Sequence, residues 1–217
     1  MRIFRTFPDA LGEIKRELLE MGIRVSTQTY QDQDIAYRPE METRELQNYS
    51  YTVTQPNLGD LSPTQPWADS EFSERISGLE CNPGEAWKLR PEVWKQFIHN
   101  GRFSYTYADR LRHQLSALLY NLDTYPDNRN HILTIWTEAI DLPRVGQQRV
   151  PCSISLHFMR REDKLIMTYY QRSADWTTHF VNDVYLAHRL QLWIATQLGW
   201  TSGKFVHFIG SLHTYKK

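Results

Sequence analysis

The last third of the chain narrows the possible folds most. Val150, Cys152, Ile154, Leu156 and Phe158 alternate with polar or small residues, which puts them on one face of a strand. The polar stretch Arg161-Glu162-Asp163-Lys164 turns the chain into a second strand from Leu165 to Gln171. Val184, Ala187, Leu190, Ile194 and Leu198 then recur at helical spacing, with Gly199 as a C-terminal stop. Residues 205–215 read as a closing strand. Strands that lead into a long helix and back to a strand predict an α+β fold, with helices packed on a mixed, largely antiparallel sheet.

The earlier sequence is consistent with that class. Ala10, Leu11, Ile14, Leu18 and Met21 mark an amphipathic helix that stops at Gly22 in a left-handed conformation. Residues 23–30 read as a strand, whereas residues 31–66, rich in Gln, Asn, Thr and Pro, carry no readable period. Residues 67–78 suit a short helix, followed by a turn at Asn82-Pro83-Gly84. A second apolar stripe through Leu111, Leu115, Leu118, Leu119 and Leu122 predicts one helix, and His131 to Trp136 a buried strand.

Charge and length set the outer limits. The 217 residues carry 25 Lys plus Arg against 25 Asp plus Glu, so bulk charge argues against a nucleic-acid binder. With 41% hydrophobic residues and no linker or repeat, a single domain over residues 1–217 is expected. The sequence has no apolar run near the ~20 residues of a membrane span, and its start lacks a leader's apolar core. A soluble, cytoplasmic protein without a membrane partner is expected. Two cysteines, Cys81 and Cys152, make neither a disulfide framework nor a zinc site, and no metal is expected.

Cys152 opens a strand in Arg-Val-Pro-Cys-Ser, where the simplest reading is a small buried hydrophobe. The next strand ends in Gln171-Arg172-Ser173-Ala174-Asp175. A guanidinium beside a hydroxyl suits a phosphate, and a nearby Arg favours a thiolate. Pro-Cys followed by Gln-Arg-Ser-Ala-Asp resembles the thymidylate synthase and deoxycytidylate hydroxymethylase superfamily. The likeness runs without a gap from Asp175 to Gly199, then through Gly203 to Gly210 and His213-Thr214-Tyr215. Upstream, Tyr125-Pro126-Asp127-Asn128-Arg129 and Trp136 resemble family segments, and the likeness is weak before residue 100.

The resemblance implies a thymidylate-synthase-like domain and assigns roles. C5 of a pyrimidine is a poor nucleophile until a group adds at C6. Cys152 is the implied adding thiolate, after which C5 attacks the methylene of 5,10-methylenetetrahydrofolate. Arg172 and Ser173, beside Gln171, hold the phosphate of a pyrimidine nucleoside monophosphate, and His213 and Tyr215 bind the sugar 3′-hydroxyl. Asp175 contacts the folate, with Trp136 on the cofactor side. A general acid and base is also needed, and it is placed at Glu71, with Glu74 as competitor. Tyr107 assists proton removal at C5, a plain core tyrosine being the alternative. Arg129 reaches a neighbouring subunit's phosphate in a homodimer with shared sites. Asn130 replaces a family arginine, and Arg38 is the candidate for an early phosphate-binding Arg that is otherwise missing.

Three departures bear on substrate and product. Where thymidylate synthases have the asparagine that reads uracil, this chain has Asp183, preceded by Asn182. A one-residue shift of register would restore the asparagine, but the ungapped spacing selects Asp183. A carboxyl accepts from the cytosine amino group and, with one proton in the contact, bonds N3 as well. The deoxycytidylate hydroxymethylases resemble this chain at Asn-Asp and at Gly210-Ser211-Leu212-His213. His179 stands where the family has glycine; it either narrows the folate or base pocket or turns outward, the simpler expectation. The chain stops at Lys217, without the family's C-terminal lid, so water is expected to reach the intermediate. The resulting expectation is hydroxymethylation of dCMP. Methylation of dCMP, a short thymidylate synthase acting on dUMP, and a non-catalytic nucleotide- or RNA-binding homologue are the alternatives.

Overall fold

A computed structural model describes residues 1–30 and 33–215. Its strands are β1 (Arg2–Phe4), β2 (Ile23–Val25), β3 (Thr29–Tyr30), β4 (Gln33–Asp34), β5 (Thr43–Val53), β6 (His131–Thr134), β7 (Ser153–Arg161), β8 (Lys164–Asp175) and β9 (Thr201–Tyr215). Its α-helices are α1 (Phe7–Met21), α2 (Trp67–Ile76), α3 (Pro91–Trp94), α4 (Tyr107–Leu111), α5 (Leu115–Thr124), α6 (Glu138–Asp141) and α7 (Phe180–Gln197). The main sheet runs β1-β5-β9-β8-β7-β6, with β2 also on β5, and the class is α+β as the periodicity predicts.

The β7–β8 hairpin turns at Glu162 and Asp163, both at positive φ, and is antiparallel. β8 and β9 are parallel, which requires a crossover, and α7 supplies it. β9 then pairs antiparallel with β5 along most of its length. One face of the sheet is covered by α7 through Val184, Leu190 and Ile194, and by α1 through Phe7, Ile14 and Leu18, all 4% exposed or less. Each such side chain contributes about 1.5–3 kcal/mol by burial.

Several local expectations are corrected. Gly22 ends α1 with φ −61°, not left-handed. A Cβ there would strike the Leu18 carbonyl and approach Arg44, so glycine serves close packing. The stripe from Leu111 to Leu122 breaks into α4 and α5. Gln114, between them, donates to the Arg110 and Thr134 carbonyls and accepts from the Thr134 amide, which ties the break to β6. β6 is an edge strand with alternate residues exposed rather than a fully buried one. A register shift between Ser153 and Ser155 turns Ile154 out of the face it was expected to share, to 40% exposure. Residues 23–30 form two short strands, and the unreadable middle contains β5, which pairs with β9 over its length. Part of that middle, residues 31 and 32, lies outside the described residues, as does Lys217.

Candidate active site

The elements that meet at the carboxyl end of β8 enclose a cavity of about 370 Å³. Cys152 enters it just before β7, and Arg172, Ser173 and Asp175 from the end of β8. His179 and Asp183 enter from the start of α7, His213 and Tyr215 from the end of β9. Glu71 and Arg75 come from α2, and Tyr107 from the first residue of α4. The likeness therefore named residues from six separate segments that the fold gathers at one place.

Arg172 is fixed above Cys152. Its amide donates to the Cys152 carbonyl at 2.9 Å, and its guanidinium donates to the carbonyls of Pro151 at 2.9 Å and Val150 at 3.2 Å. β9 passes close behind because residue 210 is glycine: a Cβ there would sit 2.7 Å from the Arg172 carbonyl oxygen. Burial pushes the Cys152 thiol up, while Arg172 and Arg149 favour its thiolate. Trp136 lies outside the cavity lining; its ring sits 5.9 Å from the Arg172 guanidinium carbon, so it supports the arginine rather than lining a cofactor site.

Asn182 and Asp183 separate as neighbours on a helix must. The Asn182 carbonyl accepts from the Thr64 amide at 2.7 Å, away from the cavity, which removes it from the expected substrate contacts. Asp183 faces the cavity, and burial raises its carboxyl to about 6 against Gln171 and Arg75, which lower it. Gln171 does not line the cavity either. It lies beneath Asp183 and donates to Oδ2 at 3.0 Å.

The two candidate general bases differ in state. Glu74 accepts from the backbone amides of Glu85 at 2.6 Å and Ala86 at 2.8 Å, which makes it the cap of the following turn. Glu71 is held by Arg75 Nε at 2.8 Å, and the same guanidinium lies 3.9 Å from the centroid of the Tyr107 ring. The Tyr107 hydroxyl shares a hydrogen bond with Ser153 at 3.0 Å, and Ser153 another with Tyr169. Burial keeps Tyr107 well above the ordinary phenol range, hence protonated.

His179 turns inward rather than out: it lines the cavity, 5.4 Å from Trp94, and burial lowers it to about 4. Arg38 is exposed and absent from the lining, so it supplies no phosphate contact within this chain. Arg129 is exposed near the β6 edge of the sheet, with its carbonyl near His157 Nε2 at 2.9 Å. Two cavity arginines were not among the residues named from sequence. Arg75 carried a signal, the Glu–Arg spacing of four on a helix. Arg149, 8% exposed among Trp94, Phe97 and Tyr105, carried none.

Asp175 tests whether the folate fits. Its Oδ1 accepts from the amides of Thr177 at 2.9 Å and Thr178 at 3.2 Å, while buried Oδ2 has no hydrogen-bond partner among the described residues. An acceptor left open on the cavity wall suits the N–H groups of a pterin. Beside it the stacked indoles of Trp67 and Trp94, 5.7 Å apart, offer flat apolar surface.

Known proteins carry the same arrangement of elements. Thermostable thymidylate synthase A from Bacillus subtilis superposes with a TM-score of 0.73 at 20% identity, over 97% of this chain and 80% of that one. A relative from Methanocaldococcus jannaschii is 26% identical over 178 residues, which cover 81% of this chain and 77% of that protein. A thymidylate synthase of Sphingopyxis alaskensis is 30% identical over 149 residues, 68% of this chain and 46% of its own length. One from Streptococcus pneumoniae is 37% identical over 107 residues, 46% of this chain and 37% of its own. The chain thus spans less than half of these two bacterial enzymes. Among the described residues no helix is long and apolar enough to cross a membrane. Residues 62–217 match the family model described as thymidylate synthase, and the chain belongs to the thymidylate synthase family.

Proposed function

We propose that this protein is a folate-dependent one-carbon transferase that hydroxymethylates C5 of deoxycytidylate. The observation that carries the cytosine reading is the Asp183 carboxyl on the cavity wall, held from behind by Gln171. Cytosine offers a bare N3 and an amino group. A carboxyl carrying one proton bonds both, whereas a carboxylate meets only the donor.

In this reading Arg172 and Ser173 bind the nucleotide phosphate, and His213 and Tyr215 the sugar. Cys152 sulfur forms a bond to C6, with Arg172 and Arg149 easing the negative charge on the thiolate. The added electrons make C5 nucleophilic. Bound 5,10-methylenetetrahydrofolate supplies the one-carbon unit, and the open Oδ2 of Asp175 accepts from it. Glu71, oriented by Arg75, handles protons at the ring, and Tyr107 with Ser153 positions the group that removes the C5 proton. Water closing the C5 methylene gives a hydroxymethyl group without net oxidation or reduction, whereas a methyl group requires hydride. The Asn182-Asp183 and Gly210-Ser211-Leu212-His213 likeness to deoxycytidylate hydroxymethylases supports the water-closed product.

A homodimer is part of the proposal. The sheet face away from α1 and α7 bears Tyr170 and Phe208, stacked at 5.4 Å and 36% and 39% exposed. An apolar face of this kind suits a second copy of the chain.

The test uses dCMP or dUMP tritiated at C5, with methylenetetrahydrofolate, and reads tritium released to water and product mass. Release from dCMP alone, with the mass of an added hydroxymethyl group, is expected. The mass of an added methyl group corrects the product. Release from dUMP alone overturns the cytosine reading, and release from neither moves the protein to a nucleotide-binding role. Cys152→Ser abolishes release in this reading while Cys81→Ser leaves it intact; equal activity of the two variants removes Cys152 from the chemistry.

A further inference from the structure

Four side chains run in a row from the cavity wall into the core. Asp183 Oδ2 accepts from Gln171 Nε2 at 3.0 Å, Gln171 Oε1 meets His207 Nε2 at 2.9 Å, and His207 Nδ1 meets the Tyr51 hydroxyl at 3.1 Å. Gln171 is 2% exposed and His207 fully buried, stacked on Tyr169 at 4.6 Å and near Phe180 at 5.9 Å. A buried imidazole between aromatic rings costs free energy unless both nitrogens are bonded, and here both are.

The polarity of the row follows from its ends. An ionised carboxyl only accepts, so Gln171 gives it the amino group and keeps its carbonyl for His207. Nε2 of His207 therefore carries the ring proton, and Nδ1 accepts from Tyr51. Burial lowers His207 to about 3, so the ring stays neutral across the working range.

We infer that His207 is a positioning residue that fixes which oxygen of Asp183 accepts and which carries the proton, and thereby makes the pocket read a cytosine edge. This rests on the cytosine reading above. With Gln171 donating to it, Oδ2 is the accepting oxygen and takes the cytosine amino group as well. The proton shared with N3 sits on Oδ1. Once Asp183 carries the proton that cytosine needs, its carboxyl can pair with either end of the Gln171 amide, and the His207 N–H is what holds the carbonyl away from it. Without that donor the amide also populates the orientation with its carbonyl toward Asp183, in which the proton moves to Oδ2, away from N3. Cytosine loses a contact; uracil, whose N3–H a bare Oδ1 accepts, does not. Arg75 and Glu71 of α2, Asp175 of β8 and Arg90 before α3 are charged groups that act on Asp183. They are unchanged in the His207 variants, so a change in base preference reports the row itself.

The experiment measures dCMP and dUMP affinities by calorimetry, without folate, for the wild type, His207→Phe and His207→Gln. Phenylalanine keeps the stacking and removes the donor; glutamine restores an amide N–H near the Nε2 position. The expected result is a wild-type preference for dCMP that falls about tenfold in His207→Phe, with dUMP affinity unchanged, and returns in His207→Gln. Gln171→Leu, which cuts the row one step nearer the base, gives the same loss and serves if His207→Phe does not fold. A dCMP preference that survives both cuts overturns the role of His207 while the cytosine reading stands. Equal loss of both nucleotides without rescue by glutamine reduces His207 to packing and also overturns it. A wild type that prefers dUMP overturns the cytosine reading and this inference with it.

Discussion

Arg75 lies over Tyr107, its guanidinium carbon 3.9 Å from the ring centroid, while its Nε holds Glu71 at 2.8 Å. One cation thus orients the two side chains proposed to move protons. The Glu71–Arg75 pair is largely shielded, with side-chain exposures of 19% and 14%. Removing one partner of a shielded pair leaves the other charge uncompensated. Arg75→Gln is expected to cost about 2 kcal/mol of stability by denaturant unfolding and to lower C5 tritium release at least tenfold. Unchanged release with the stability loss confined to folding would remove Arg75 from the site.

Asn182 provides the control for the base reader one residue away. Its carbonyl accepts from the Thr64 amide, so Asn182→Ala leaves a backbone N–H of the segment before α2 without that partner. The expected cost is about 1–2 kcal/mol in stability, with the ratio of dCMP to dUMP affinity unchanged. Asp183→Asn should do the reverse: little change in melting temperature and a turn toward uracil. A shift of base preference in Asn182→Ala would mean that the other side chain reads the ring.

The sequence disclosed elements according to how regular their burial is. β8, α7 and β9 each bury one clean face, and their periods were legible from Leu165, Val184 and Phe205 onward. β5 buries Tyr49, Tyr51 and Val53, but its first half is polar and Asn48 sits at positive φ, so no strand period emerges. The helix stripe through Leu111 and Leu122 gave no sign of its break, because the cause is a long-range tie from Gln114 to Thr134. The site was legible where chemistry is tied to a motif, as at Cys152 and Gln171 to Asp175. It was illegible where a side chain acts by long-range contact: nothing local marks His207 as the partner of Gln171, or Arg149 as a cavity cation.

The outer face of the sheet makes a prediction about assembly. Tyr170 on β8 and Phe208 on β9 are directly paired and stack at 5.4 Å, both about one-third exposed. A charge placed there leaves the core untouched but must be desolvated in any dimer built on that face. Sedimentation of the wild type should give about twice the monomer mass, and Phe208→Asp a monomer with unchanged circular dichroism. If Arg129 serves the partner's phosphate site, the monomer also loses nucleotide affinity. A wild type that remains monomeric at all concentrations would overturn shared sites.

Asp183 also gives the site a defined pH dependence. Burial lifts its carboxyl to about 6 from an ordinary 3.8, so the folded chain holds this proton more tightly than the unfolded one. Its contribution to stability is therefore fully present below pH 3.8 and is lost as pH rises through about 6. At pH 8 the carboxyl is ionised, yet the contact with cytosine N3 needs one proton. Binding of dCMP must then take up about one proton, and its affinity falls about tenfold per pH unit above pH 7. Uracil carries its own N3 proton and needs none. Calorimetry at pH 8 in two buffers of different ionisation enthalpy measures the uptake directly. About one proton is expected with dCMP, none with dUMP, and none with either nucleotide in Asp183→Asn. Binding of dCMP without proton uptake in the wild type would show that Asp183 does not meet N3, and the reading of the cytosine edge would fall with it.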